Sequence, residues 1–204
     1  MTATLIPTEQ QADALVIHFS PPLRRLSDDE FFDFCMANKD LRIELTSAGD
    51  LIIMPPTGGK TGIRNFELIG YFWAWTNKDG TGRGFDSSTV FSLPNGAKRS
   101  PDLSWVKKER WESLTEKERE KFSPICPDFV VELRSPSDSL RHLQQKMEEY
   151  IANGAQLGWL IDPFERKVHV YRPQANVEVL DDPETVPGEP LLPGFTLDVR
   201  ALFE

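Results

Sequence analysis

The chain has 204 residues, 39% of them hydrophobic and 27% charged, with a formal net charge of −9. This length is within the reach of one compact unit and the usage is ordinary for a globular domain, which excludes wholesale disorder. No apolar run approaches the roughly 18 residues of a membrane-spanning helix and the polar start has no charged segment leading into an apolar one, so the expected location is cytoplasmic; the acidic total also argues against a broad cationic surface for DNA.

Residues 1–20 are polar apart from a patch at Leu15 to Phe19 and read as an N-terminal arm, with residues 21–204 as a single domain. Ser27, followed by Asp28, Asp29 and Glu30, offers a capping box ahead of Phe31, Phe32, Phe34, Cys35 and Met36, so a short helix is predicted there. Residues 42–45 and 51–54 flank Ser47-Ala48-Gly49-Asp50 and read as a hairpin, ended by Pro55-Pro56-Thr57-Gly58-Gly59. From residue 62 to about 77 the pattern is helical. Ile63, Phe66, Ile69 and Trp73 share one face of it, and Leu68, Phe72 and Trp75 lie roughly opposite. A helix apolar nearly all round is expected to be covered on both sides.

Residues 84–93 and 100–106 read as strands joined through Asn95-Gly96, a tight-turn signal. Residues 111–122 are highly charged and read as an exposed helix. In the strand predicted over residues 128–135, alternation sends Phe129, Val131 and Leu133 one way and Val130, Glu132 and Arg134 the other. Ser135-Pro136-Ser137-Asp138 is expected to cap a helix that runs to about residue 153 and stops at Gly154. Residues 157–162 and 167–172 pair around Pro163-Phe164-Glu165-Arg166, and after a proline-rich stretch residues 194–203 are expected to pack back as an edge. There is no internal repeat. The order of elements describes an α/β (α+β) fold, a mixed sheet flanked by helices with an N-terminal helix and hairpin. Cys35 and Cys126 are too few for a disulfide framework and read as buried small hydrophobes.

The residues that carry chemistry are Asp102, Glu132, Arg134 and Lys146. Pro101 cannot donate to a sheet ladder, so it belongs at a strand start or edge, where Asp102 meets a cleft. Glu132 lies 30 residues further on, with Arg134 on the same strand face. Hydrolysis of a phosphodiester needs a metal at the nonbridging oxygen, a polarised water and a cation for the developing charge. Two carboxylates from neighbouring strands are a sufficient nucleus for Mg²⁺, which keeps several waters, and Mn²⁺ is the alternative ion. Lys146 lies at the edge of the apolar stripe Leu140, Leu143, Met147, Tyr150 and Ile151, one turn before Tyr150. The competing structural readings are a strand cap for Asp102, a buried ion pair of Glu132 with Arg134 or Lys146, and a solvent-directed Lys146. Residues 98–110 hold five cations against two acids, so the Pro101-Asp102 pair sits in the most basic stretch of an acidic chain. His142 and His169 have no serine or cysteine nucleophile motif beside them, and His169 reads as facing outward from its strand.

Gly58-Gly59-Lys60-Thr61-Gly62, Arg99-Ser100-Pro101-Asp102, Pro127 through Glu132, Ser135-Pro136-Ser137, the Lys146 to Tyr150 spacing and Gly154 with Trp159-Leu160-Ile161-Asp162-Pro163 together resemble the Uma-type restriction endonuclease-like family of the PD-(D/E)XK nuclease superfamily. The resemblance covers about residues 26 to 200. It implies a restriction-endonuclease-like core and Mg²⁺-dependent DNA cleavage, with Asp102 and Glu132 as metal carboxylates and Lys146 replacing a missing strand lysine. It also implies an acid on the first core helix, for which Glu67 is the candidate third metal ligand, with an ion pair to Arg64 as its structural alternative. Arg134 stands where that superfamily has lysine, and an arginine stabilises charge but cannot act as a base. The expected activity is a metal-dependent endodeoxyribonuclease acting on DNA, with a homodimer as an expected assembly. The alternative is a nuclease fold that no longer cuts and serves as a binding or assembly module.

Overall fold

The computed structural model describes residues 2–5, 14–20 and 26–204. The N-terminal arm contributes two antiparallel strands, β1 (Thr2–Leu5) and β2 (Leu15–Ser20). Residues 6–13 and 21–25 of the arm and its junction lie outside the described residues. Helix α1 (Asp28–Ala37) starts as its sequence dictates: the Ser27 hydroxyl accepts from Glu30 N–H and the Glu30 carboxylate accepts from Ser27 N–H. The hairpin of β3 (Arg42–Leu45) and β4 (Leu51–Met54) follows, and β2 adds to the outer side of β4.

Helix α2 (Gly59–Asp79) is longer than its sequence pattern predicts and buries Thr61, Arg64, Leu68 and Phe72. No described residue covers the opposite face. Ile63, Phe66 and Trp73 are 65%, 77% and 66% exposed, contrary to the expectation that both faces are buried.

The chain then changes sheets twice. The predicted long strand pair is four pieces: β5 (Gly82–Asp86), β6 (Phe91–Ser92), β7 (Lys98–Arg99) and β8 (Leu103–Lys107). Asp86 Oδ1 accepts from Ser88 N–H and turns the chain out of β5, while Pro101 interrupts the return. The inner pair β6–β7 joins the first sheet, of order β1-β2-β4-β3-β7-β6, and turns through Asn95-Gly96 with Gly96 at φ 89°. The predicted charged helix is two short ones, α3 (Lys108–Glu112) and α4 (Glu116–Glu120), because Thr115 forms a second capping box.

Strand β9 (Phe129–Leu133) leads through α5 (Leu140–Ala152) to the parallel strand β10 (Leu157–Asp162), which turns into β11 (Lys167–Tyr171) and β12 (Glu178–Asp181). Together with β8 and β5 these form the central mixed sheet, of order β12-β11-β10-β9-β8-β5. The C-terminal residues do not form an edge of it. Strands β13 (Thr185–Pro187) and β14 (Thr196–Asp198) pair with each other, and α6 (Arg200–Phe203) closes the chain.

Period-two alternation sorts the central sheet into two cores. Leu103, Trp105, Phe129, Val131, Leu133, Trp159 and Ile161 pack with Leu68 and Phe72 of α2 and with Phe195 and Leu202 from the C-terminal segment. Val106, Val130, Leu160 and Tyr171 pack with Leu143, Met147 and Tyr150 of α5 on the other face. Cys35 and Cys126 are free and buried, and burial pushes their thiols up to about 11 and about 12. Among the described residues no helix is long and apolar enough to cross a membrane.

Candidate active site

The antiparallel register of β8 and β9 pairs Leu103 with Val131 and Ser104 with Val130. One further step along it sets Asp102 opposite Glu132. Asp102 Oδ2 accepts the Leu133 N–H at 2.8 Å, which locks the carboxylate to the end of β9. Its Oδ1 has Arg42 Nη2 3.8 Å away. Both acids line one open cavity of about 650 Å³ with Arg42, Glu44, Lys60, His142 and Lys146.

Lys146 reaches into this cavity from α5, and its ammonium lies 2.9 Å from Glu132 Oε1 and 2.9 Å from Glu44 Oε1. The Tyr150 hydroxyl, one turn on, donates to Glu132 Oε1 at 3.1 Å. The i, i+4 spacing read in the sequence therefore places both groups on a single carboxylate oxygen. Glu132 Oε2 carries no partner among the described residues, and it remains available to a ligand. Glu44 is held further by Arg99 Nη1 at 3.1 Å and by Ser100 N–H at 2.8 Å, and Arg99 Nε bonds Glu149 at 2.6 Å.

The electrostatics follow from burial and partner count. Burial pushes the Glu132 carboxyl up to about 7, with Lys146 opposing and Asp102 and Glu44 reinforcing. Burial also raises Asp102, against the Leu133 N–H and Arg42. Glu44 is equally buried, but Lys146, Arg99 and the Ser100 N–H hold it down to about 2. Lys146 is discouraged from carrying charge by its burial, yet Glu132 and Glu44 outweigh this and keep it an ammonium. Burial, followed by Lys146 and Arg99, lowers His142, which is neutral near pH 7.

The structure brings together Asp102, Glu132 and Lys146, and leaves out Arg134 and Glu67. Strand β9 ends at Leu133, so the alternation that would aim Arg134 beside Glu132 is lost. Its guanidinium pairs with buried Asp162 at 2.7 Å, donates to Asp138 O and lies over the Phe164 ring. Glu67 is half-buried on α2 and does not line the cavity. Among the described residues no three histidine, cysteine or acidic side chains cluster as a metal cage. His169 is buried, not outward-facing. Of the cations of the basic stretch, Lys98 pairs with Asp28, Arg99 with Glu44 and Glu149, and Arg110 with Asp128.

Glu44 and Arg42 were not singled out from the sequence, and His142 was set aside there for want of a nucleophile motif. Glu44 did carry a signal. An acid between Ile43 and Leu45 in a short apolar strand needs a buried cation, the argument that applies equally to Glu132.

A divalent ion fits this donor set. The two acids are hard oxygen donors on adjacent strands, each with one carboxylate oxygen free of hydrogen bonds among the described residues, and they border an open cavity. Mg²⁺ asks for only one or two carboxylates and fills the remaining positions with water and phosphate.

No curated protein sequence matches the chain. A crystal structure described as a “putative nuclease” from Anabaena variabilis is similar to it, with a TM-score of 0.71 and 26% identity over 87% of this chain and 97% of that one. A family model described as “Putative restriction endonuclease” matches residues 28–200. With that match spanning most of the sequence and the core built as a central mixed sheet between α2 and α5, the chain belongs to the Uma2 family.

Proposed function

We propose that this protein is a Mg²⁺-dependent endodeoxyribonuclease, with Mn²⁺ as a substitute ion, that hydrolyses phosphodiester bonds of DNA in the cytoplasm. The observation that carries this reading is the convergence of Asp102 and Glu132 across one strand pair at an open cavity that also holds the Lys146 ammonium. Asp102 and Glu132 would hold the ion, and a bound divalent ion supplies charge neutralisation at the phosphate and a more acidic water.

The side chains divide the remaining work. Lys146, fixed between two carboxylates, is a permanent local cation that stabilises charge developing on the phosphate. It is poorly suited to act as a base. His142, neutral near pH 7 and lining the same cavity, is the nitrogen able to accept a proton from the attacking water. The N-terminus of α2, with Gly59, Lys60 and Thr61 at the cavity and no side-chain cap on Gly58, offers unsatisfied backbone N–H groups and a lysine to a phosphate.

The experiment is incubation of plasmid, linear and single-stranded DNA with the protein, with and without Mg²⁺ or Mn²⁺. Wild type cuts only with metal, and Asp102→Ala and Glu132→Ala, both folded, do not cut. Unchanged cleavage in either variant overturns the assignment. One observation favours a second reading, a nuclease fold that binds without cutting: Glu132 already has two partners within the protein. That reading predicts DNA retention without product in the same incubations.

A further inference from the structure

The outer face of α2 has a pattern of its own. Ile63, Phe66, Gly70, Trp73 and Asn77 are all exposed and follow one another at alternating intervals of three and four residues. That is the spacing of a helix–helix seam, whereas the buried face of the same helix is occupied by Thr61, Arg64, Leu68 and Phe72. Between Gly62 and Asn77 the helix has only two charged residues, Arg64, which is buried, and Glu67, which is half-buried, so the exposed stripe carries no charge.

We propose that this stripe is a self-association surface on which two copies of the chain pair along α2, antiparallel, about a two-fold axis at Gly70. The seam is nearly symmetric in size about that glycine. A two-fold there sets Gly70 against the partner's Gly70, Phe66 against the partner's Trp73, and Ile63 against the partner's Asn77. Nothing lies within 4 Å of the position a Cβ would take on Gly70, so two backbones can approach closely while the aromatic rings on either side interlock. Such an arrangement is isologous and closes on itself as a dimer.

The helix dipole selects the antiparallel register. Antiparallel copies set each helix N-terminus beside the partner's C-terminus. A parallel pair would instead set like helix ends side by side. The area is adequate. At 150–250 Å² per aromatic side chain, the exposed parts of Phe66 and Trp73 amount to roughly 300 Å² per copy. With Ile63 and the small residues added, the pair approaches the roughly 1,000 Å² of a specific interface. Because Gly59, Lys60 and Thr61 border the cavity, the pairing places two cavity rims about 30 Å apart at opposite ends of the paired helices.

Sedimentation of the full chain over a roughly micromolar to 100 µM range tests this without reference to any nuclease activity. A mass of twice 23.2 kDa is expected at the upper end. Phe66→Glu, at a surface position where circular dichroism should be unchanged, is expected to weaken association more than about 30-fold. Oxidative crosslinking of an Ile63→Cys/Asn77→Cys variant is expected to join position 63 of one copy to position 77 of the other, the native cysteines being buried. A monomer throughout, a dimer indifferent to Phe66→Glu, or links joining 63 to 63 would each overturn the proposal.

Discussion

Replacing Lys146 by methionine removes a charge and keeps most of the side-chain volume, so its consequences isolate the electrostatics of the cavity. Glu44 and Glu132 lose their shared ammonium. Glu44 retains Arg99 and the Ser100 N–H and stays ionised. Glu132 retains only the neutral Tyr150 hydroxyl. Leaving one member of a buried pair uncompensated costs about 3–5 kcal/mol, and for a domain of this size about 2–4 °C is lost per kcal/mol.

The pH dependence follows from the direction of the Glu132 shift. In the folded wild type Glu132 lies at about 7, above its ordinary 4.5. Its contribution is therefore full below pH 4.5 and is lost as pH rises through 7. Without Lys146 the folded value rises further, so the variant suffers most at pH 8 and least near pH 5, where Glu132 takes up a proton. Urea denaturation at the two pH values measures this. Lys146→Met is expected to lose about 3–5 kcal/mol at pH 8 and under about 2 kcal/mol at pH 5, and adding Glu132→Gln is expected to restore most of the difference. A loss below about 1 kcal/mol at pH 8, or equal losses at both pH values, would refute the reasoning.

Glu44 has the opposite sign: held down at about 2 in the folded state, it stabilises above pH 4.5 and that stability is lost as pH falls toward 2. Glu44→Gln is expected to remove about 3 kcal/mol of acid sensitivity over that window, seen as a flatter acid-unfolding curve by circular dichroism. Arg134→Ala strands buried Asp162 and is expected to cost about 1–3 kcal/mol in urea unfolding while leaving divalent-metal affinity unchanged, because the guanidinium lies outside the cavity. Gly82→Ala would drive its Cβ into the buried indole of Trp105, whereas at Gly158 the new atom meets the mobile methyl of Met147. Thermal melts should therefore show a cost of about 1–3 kcal/mol at residue 82 and a smaller one at residue 158.

What was legible in the sequence was local or strictly periodic. The Ser27 capping box, the β3–β4 hairpin turn and the alternation of Phe129, Val131 and Leu133 against Val130 and Glu132 each involve neighbours a few residues apart, and each is present. Lys146 was readable as one of two candidate partners of Glu132, but Tyr150 read only as part of the apolar stripe, so its hydroxyl on the same carboxylate oxygen was not. Strand partners are not local, which is why the split of residues 82–107 between two sheets escaped the pattern. Arg134 was misplaced for a related reason: alternation holds only while the strand lasts, and β9 ends one residue before it. The uncovered stripe on α2 shows that composition says a face is apolar but not whether this chain covers it.

The central claim is that Asp102 and Glu132 together hold a divalent ion. Calorimetric titration of Mn²⁺ into wild type, Asp102→Asn and Glu132→Gln tests it directly. One site in wild type that is lost in both folded variants is the predicted result. No binding to wild type, or equal binding to Asp102→Asn, would contradict it.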